Sequence, residues 1–181
     1  TSGTFIDAGT LQLGDGGATG SILGNVVNNG ALVFHRSDPV LFGGTISGTG
    51  RVDIRGLGVA LTGDHTYTGG TTIAAGSQLA VGDGGVTGSI VGDVANDGSL
   101  TFARADVVTF PGRISGSGNL VNAGVGLILT GDNTYTGSTT SANPLMVGDG
   151  GPTGSLGTGP VDIGSVLFVN RAGTLVMPNA I

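Results

Sequence analysis

The apolar residues of this chain recur in short alternating triplets, neither in long runs nor at helical spacing. Each triplet is a leucine or valine, any residue and another apolar residue, as in Leu32-x-Phe34 and Val52-x-Ile54. An apolar residue six positions earlier and a second triplet seven or eight positions later accompany both of these. Alternation with a period of two is the pattern of a half-buried β-strand. The pattern predicts three short strands for every such group.

The residues between the triplets are Gly, Asn, Asp, Ser and Pro, which favour turns. Glycine alone supplies 39 of the 181 residues, and in a helix each would cost about 1 kcal/mol relative to alanine. The glycines stand at fixed offsets among Leu, Val, Ile and Phe, which is unlike a disordered polar chain. They do not fall at every third position, which excludes collagen. We therefore expect an all-β chain.

A long repeat is visible in three segments, which are LQLGDGGATGSI from Leu11, LAVGDGGVTGSI from Leu79 and LMVGDGGPTGSL from Leu145. Their starts are almost equally spaced along the chain. Self-similarity at a fixed period is typical of solenoids and related arrays. We expect one repeat array over residues 1–181, part of a longer chain, with units of about 11–78, 79–144 and a partial 145–181.

A shorter period lies inside the long one. The triplets begin at Leu11, Leu32, Val52, Leu79, Leu100, Leu120, Leu145 and Val166. The steps between neighbours are nearly equal, except that those from Val52 to Leu79 and from Leu120 to Leu145 are longer. We interpret each unit as three coils of similar length, with extra residues inserted at one place, so that these eight positions stack. One coil cannot bury its apolar residues, whereas stacked coils can.

The predicted fold is a right-handed parallel β-helix of about eight coils with three short strands each. At roughly 4.8 Å per coil the rod would be about 40 Å long. A β-sandwich is the alternative, but sandwich strands rarely repeat at so regular a long interval with identical corners. Asn122 occupies an inward position equivalent to Ile54 and Phe102, and there we expect a bulge at Ala123-Gly124 and a local change of register.

Charge and composition argue against several classes of function for this chain. Six arginines, no lysine and twelve acidic residues give a net charge of −6, which opposes binding to nucleic acid and to an anionic membrane. No apolar stretch approaches the roughly 20 residues of a spanning helix, so we expect no membrane insertion by this segment. Cysteine is absent, which removes thiol catalysis and thiolate metal sites.

The sequence offers no catalytic or cofactor site. Asp53 stands between Val33 and Ala80 in the predicted stacking, so no carboxylate pair forms there. The aspartates of the GDGG corners could suggest calcium, but they lie too far apart to share an ion, and we interpret each as capping its own turn. The two histidines are expected at the surface. We predict no enzyme, no metal and no cofactor, and the residues concerned are Asp15, Asp83, Asp149, His35 and His65.

Two recurring motifs are candidates for partner contact. Arg36 and Asp38 return as Arg104 and Asp106, and Thr-Tyr-Thr-Gly surrounds two tyrosines in turn. A solvated ion pair and a tyrosine covering the corner loop are the simpler interpretations. Contact with a sugar or a protein is the alternative, and it would involve Tyr67, Tyr135, Arg36 and Arg104.

The segments from Leu61 and Leu129, LTGDHTYTGG and LTGDNTYTGS, resemble the passenger-associated transport repeat of bacterial autotransporters. The resemblance covers essentially the whole chain. It implies a β-helical passenger on a Gram-negative cell surface, with a translocator barrel elsewhere in the full-length protein. Members of the family are linked to passenger export, and many are adhesins or virulence factors.

Three functions are compared on this basis. The first is a secreted structural stalk that supports export and surface display. The second is an adhesive surface that binds a host surface protein, a glycan or another copy of itself. The third, a polysaccharide-cleaving enzyme, would need a carboxylate cluster on adjacent coils, and the sequence shows none.

Overall fold

The computed structural model describes residues 3–178, and within them it contains twenty short strands and no helix. No helix among these residues is therefore long and apolar enough to cross a membrane. All strand pairs are parallel, and the chain winds into a solenoid of about eight turns. The predicted all-β solenoid with three strands per coil is confirmed.

Three sides enclose the core, and the chain visits them in a fixed order. Side 1 carries β1 Thr4–Ile6, β3 Val26–Asn28, β6 Ile46–Ser47, β13 Val107–Phe110, β16 Gly126–Leu129, β18 Leu145–Val147 and β20 Leu167–Val169. Side 2 carries β2 Thr10–Leu13, β4 Ala31–Phe34, β7 Arg51–Ile54, β9 Thr71–Ile73, β11 Val94–Asn96 and β14 Ile114–Ser115. Side 3 carries β5 Val40–Phe42, β8 Val59–Leu61, β10 Gln78–Val81, β12 Ser99–Phe102, β15 Asn119–Asn122, β17 Thr139–Ser141 and β19 Val161–Ile163.

The core is a set of ladders in which equivalent inward side chains of successive turns touch. On side 2, Phe34, Ile54 and Ile73 lie in register and are buried. On side 3, Leu79, Leu100 and neighbouring leucines and valines form a second ladder. Burial of each such side chain contributes about 1.5–3 kcal/mol. The strands exchange backbone hydrogen bonds with equivalent strands of neighbouring turns, so stability comes from contacts between adjacent turns.

The predicted stacking register is wrong at one step in every long unit. Leu79 pairs with Val59 and Leu100, whereas Val52 pairs with Thr71. The step from Leu32 to Val52 is one turn of the solenoid, because these two residues pair directly. The longer step from Val52 to Leu79 is therefore one full turn plus one side, and not a coil with an insertion.

The longer step from Leu120 to Leu145 has the same cause, because Leu120 pairs with Thr139. The sequence interpretation did not recognise that the threonine strands β9 and β17 are the ones that stack on Val52 and Leu120.

The long repeat consequently turns around the rod. The three GDGG segments begin at the ends of β2, β10 and β18, which lie on sides 2, 3 and 1 respectively. Each copy is displaced by one side, since one long unit makes three turns and a third. Asp53 accordingly lies between Val33 and Thr72, and not beside Ala80.

Asn122 faces inward as predicted and is 3% exposed. Its Nδ2 donates to the Ser141 Oγ at 2.9 Å, and its Oδ1 accepts from the Gly124 backbone N–H at 3.2 Å. The backbone N–H groups of Ala123 and Gly124 both donate to the Phe102 carbonyl, which is a local irregularity at the predicted place. The predicted change of register is wrong, because Asn122 stays in line with Phe102 and Ser141.

Candidate functional site

The most elaborate surface feature is the GDGG loop, which occurs at 14–20, 82–88 and 148–154. Its first and last glycines adopt positive φ, with Gly14 at 84° and Gly20 at 94°. A Cβ atom on Gly20 would overlap the backbone of Gly14, so the loop closes on itself through these two residues. Only glycine combines that conformation with so close an approach.

An arginine from the next turn clamps this loop. The Arg36 guanidinium donates to the carbonyls of Gly20 at 3.0 Å and Ala18 at 2.7 Å. Its Nε and Nη2 also donate to the two carboxylate oxygens of Asp38, at 2.9 and 2.7 Å. The ion pair lowers the pKa of Asp38 and raises that of Arg36, in both cases mainly through this hydrogen bonding. Because a planar guanidinium can bind a carboxylate and carbonyls together, lysine could not replace it.

The clamp is repeated at the other two loops. Arg104 donates to the carbonyls of Gly88 and Val86, at 3.0 and 2.6 Å, and pairs with Asp106. Arg171 donates to Gly154 and Pro152 at 2.6 Å each. At this third loop the nearest carboxylate oxygen, on Asp132, lies at 3.9 Å, and the Arg171 Nε is buried without a hydrogen-bond partner.

These contacts change the interpretation of Arg36 and Arg104, the two arginines that the sequence suggested as candidates for partner contact. Their side chains are only 15% exposed, and their donors are directed to the loop and to the neighbouring aspartate. The pair is therefore more than the solvated ion pair predicted from the sequence. Contact of Arg36 and Arg104 with a partner stays a prediction.

The two tyrosines lie in the core, and the interpretation that they cover the corner loop is wrong. Tyr67 and Tyr135 are fully buried, and each hydroxyl lies 2.6 Å from the Oγ1 of a threonine four residues later, Thr71 or Thr139. Burial raises the pKa of Tyr67 to about 12, and it raises the pKa of Tyr135 as well. The rings fill the core where the Thr-Tyr-Thr-Gly segments pass without a regular strand, so neither ring can contact a partner directly.

His65 also lies inside the rod, contrary to the expectation of a surface histidine. It is 1% exposed, and its ring lies between those of Phe42 and Tyr67, with ring centroids 6.2 Å away on both sides. Its Nδ1 accepts the Ile46 backbone N–H at 3.0 Å. Burial lowers the pKa of His65 to about 4. The other histidine, His35, is half-buried at the GDGG loop.

The aspartates of the corners serve their own turns. The Oδ1 atoms of Asp83 and Asp149 accept the backbone N–H of Gly85 and Gly151, each at 3.3 Å. This confirms the capping interpretation for these two residues. Within residues 3–178 no group of three or more histidine or acidic side chains could hold a metal ion.

An apolar strip lies on the outside of side 1. Ile128, Met146 and Phe168 occupy equivalent outward positions of β16, β18 and β20. Together with Val107 and Val125 they line a shallow groove of about 160 Å³. Phe168 is 48% exposed and Val107 59%. The outward position of Met146 follows from the triplet that begins at Leu145. The predicted triplet Val166-x-Phe168 is wrong by one residue, because Leu145 pairs with Leu167 and Phe168 therefore faces outward.

Comparison with known proteins finds similarity to one repeat family in three short segments of the chain. The family described as passenger-associated-transport-repeat matches residues 1–13, 59–80 and 126–140. The segment 59–80 is one complete turn, from β8 to β10, and it contains Tyr67, His65 and Thr71. A relative from Brucella suis biovar 1 (strain 1330), the "Adhesin BmaC autotransporter", is 64% identical over 50 residues. The alignment covers 28% of this chain and 2% of that relative. No solved structure matches the chain.

Proposed function

We propose that the chain is a repeat segment of an autotransporter passenger and that it serves as a structural stalk that supports export and surface display. On this proposal the segment is displayed outside a Gram-negative cell and carries out no catalytic step. The full-length protein would add the translocator barrel that such export needs. The matching relative is an autotransporter named as an adhesin, which supports display at a surface.

One observation carries the proposal, namely that the recurring polar motifs hold the rod together. The tyrosines of Thr-Tyr-Thr-Gly bond to threonines in the core. The arginines clamp the GDGG loops, and the loop aspartates cap their own turns. A repeat that encoded a ligand site would direct at least one of these side chains outward. These repeats encode the geometry of the solenoid.

The stacking supports a role in export for a physical reason. Each strand pairs only with equivalent strands one turn away, so a turn can fold as soon as its predecessor is in place. Folding outside the cell would then hold the portion of chain that has already emerged. The absence of cysteine means that no disulfide has to be opened for passage through a narrow pore.

An adhesive surface is the second candidate function, and the apolar strip on side 1 favours it. Exposed apolar side chains in a contiguous group mark interaction sites more often than scattered ones do. On this alternative the partner is a host surface protein, a glycan or another copy of the passenger. The strip lies on one side only, so binding would be abolished by Phe168→Ser and Met146→Ser without loss of display.

The stalk proposal is tested by deletions in the full-length protein. Removal of residues 59–78 takes out one turn, and Leu79 would then follow Gly58. Since Leu79 and Val59 already stand in register, β10 would replace β8 on β5 and the stack would close one turn shorter. We expect passenger display, measured by surface antibody labelling and protease accessibility, to stay near the wild-type level.

The matched control removes residues 59–68, which is half a turn from the same starting point. It brings β9, a strand of side 2, towards side 3 and leaves the inward side chains without partners. We expect display to fall sharply. Equal display of both deletion variants would refute a role that depends on stacking, and equal loss would show that the turn itself carries a required site.

A further inference from the structure

The buried histidine gives the rod a point that responds to acid. We propose that the His65 ring is a pH-sensitive link between its own turn and the turn of Ile46, and that its protonation loosens these two turns. Such a response to acid would be independent of any role as a stalk.

The geometry fixes the protonation state of the ring at neutral pH. Nδ1 accepts the Ile46 N–H at 3.0 Å, so it carries no proton and the neutral ring holds its proton on Nε2. Nε2 is buried and has no hydrogen-bond partner. A second proton would have to go to Nδ1, where it would face the N–H of Ile46. Protonation therefore removes the hydrogen bond and places a cation in an apolar core.

The charges around the ring do not compensate for this. Asp64 precedes His65, and its carboxylate favours the protonated form, but burial outweighs that effect and lowers the pKa. The Asp64 carboxylate already accepts the Gly88 N–H at 3.1 Å. β5 and β6, which pack against the ring, carry no ionisable side chain, and neither do residues 84–92 of the next turn. On the far side of that turn Arg104 is paired with Asp106, and the Tyr67 hydroxyl is bonded to Thr71.

The second copy of the repeat provides an internal control. Asn133 stands where His65 does, and its Oδ1 accepts the Ile114 N–H at 2.7 Å. Its Nδ2 donates to the Ser155 carbonyl, also at 2.7 Å. The Asn133 amide thus forms hydrogen bonds with both neighbouring turns and does not titrate. The equivalent link is therefore independent of pH in this copy and sensitive to acid in the copy with His65.

The direction of the effect follows from linkage. The pKa of His65 is about 4 in the folded state, against about 6.5 when the ring is exposed to water. In the closed state the ring is buried and bonded to Ile46, and in the open state it is exposed to water. The open state binds more protons between these two pKa values, so the closed state has its full stability above pH 6.5 and loses stability as the pH falls towards 4. From pH 7.5 to pH 5 the open population should rise roughly 25-fold.

The test is amide hydrogen exchange by NMR on the whole chain at pH 7.5 and pH 5, expressed as protection relative to the intrinsic rate. We expect the protection of Ile46 to fall by roughly 10-fold or more, while that of Ile114 stays constant. In His65→Asn the fall at Ile46 should disappear, and in the control variant His35→Asn it should persist.

Two outcomes would overturn the proposal. One is an equal change at Ile46 and Ile114 in the wild-type chain, and the other is a fall at Ile46 that survives His65→Asn. If that variant does not fold, titration of the His65 ring in the wild type decides, because a pKa near 6.5 in the folded state is incompatible with the proposal.

Discussion

The hydrogen bond between Tyr67 and Thr71 offers a sharp test of how the core is built. Tyr67→Phe removes only the hydroxyl and keeps the ring that fills the core. The Thr71 hydroxyl is then left without its partner at a position that is 3% exposed. A buried polar group deprived of its partner costs about 1–3 kcal/mol, so we expect a loss of about 1–2 kcal/mol in the free energy of unfolding.

The double variant separates the bond from the ring. Thr71→Val alone leaves the tyrosine hydroxyl without its threonine partner and should cost a similar amount. Tyr67→Phe with Thr71→Val removes both partners and replaces them by apolar groups of similar shape, which is close to neutral. Because each single variant costs about 1–2 kcal/mol and the double variant almost nothing, the coupling energy between the two residues should be about 2–4 kcal/mol in magnitude.

The assay is urea unfolding followed by circular dichroism, with comparison of midpoints at constant slope. Tyr135→Phe and Thr139→Val repeat the cycle in the second copy, where the hydroxyl–hydroxyl distance is also 2.6 Å. Strict additivity of the two single losses, in either copy, would refute the idea that the pair acts as a unit. An unchanged midpoint for Tyr67→Phe would refute the cost assigned to the isolated threonine.

Two further predictions concern the GDGG loops. Gly20→Ala should destabilise the chain by more than the roughly 1–2 kcal/mol that a left-handed alanine costs, because its Cβ would overlap Gly14. The control Gly9→Ala has open space around its Cβ and should cost only that amount. Equal urea midpoints for the two variants would contradict this prediction. Arg104→Met should increase amide exchange at Gly84, whose N–H donates to the Ala103 carbonyl at 2.7 Å, and leave Leu100 unchanged. Arg113→Met, which removes only exposed bonds to Thr134, is its control, and equal loop exchange in both variants would show that no clamp exists.

Much of the fold could be predicted from the sequence. Alternation in Leu32-x-Phe34 and Val52-x-Ile54 identified two strands in which these four residues are buried, although the intervening Val33 and Asp53 are buried as well. The glycines and polar residues between the strands indicated coils of nearly constant length. Parallel stacking of the coils followed, because no single coil could bury its apolar residues. The capping of Gly85 by Asp83 was also predictable, since it depends on residues two apart.

The candidate site was less predictable, because its contacts join different turns. The Arg36 clamp reaches back from its own turn to the carbonyls of Gly20 and Ala18, and nothing in the local pattern shows where that guanidinium lies. His65 and Tyr67 alternate with the exposed Thr66 and Thr68, but the interpretation of this segment as a corner loop missed that the two rings fill the core. A second signal was the threonine strand Thr71–Ile73, which alternates as the leucine strands do.

The sequence by itself determined most of the strands, the face of those strands that turns inward and the existence of a repeating turn; β20, where the predicted face is wrong, is an exception. These depend on a period of two and on short turn motifs, which are local properties. Only the tertiary structure decided which strands stack, because that depends on the length of chain spent at every corner of a turn. A corner shorter by a few residues moves a strand to the next side of the rod. For this reason Leu79 lies on Val59 and not on Val52, and each copy of the repeat faces a new direction.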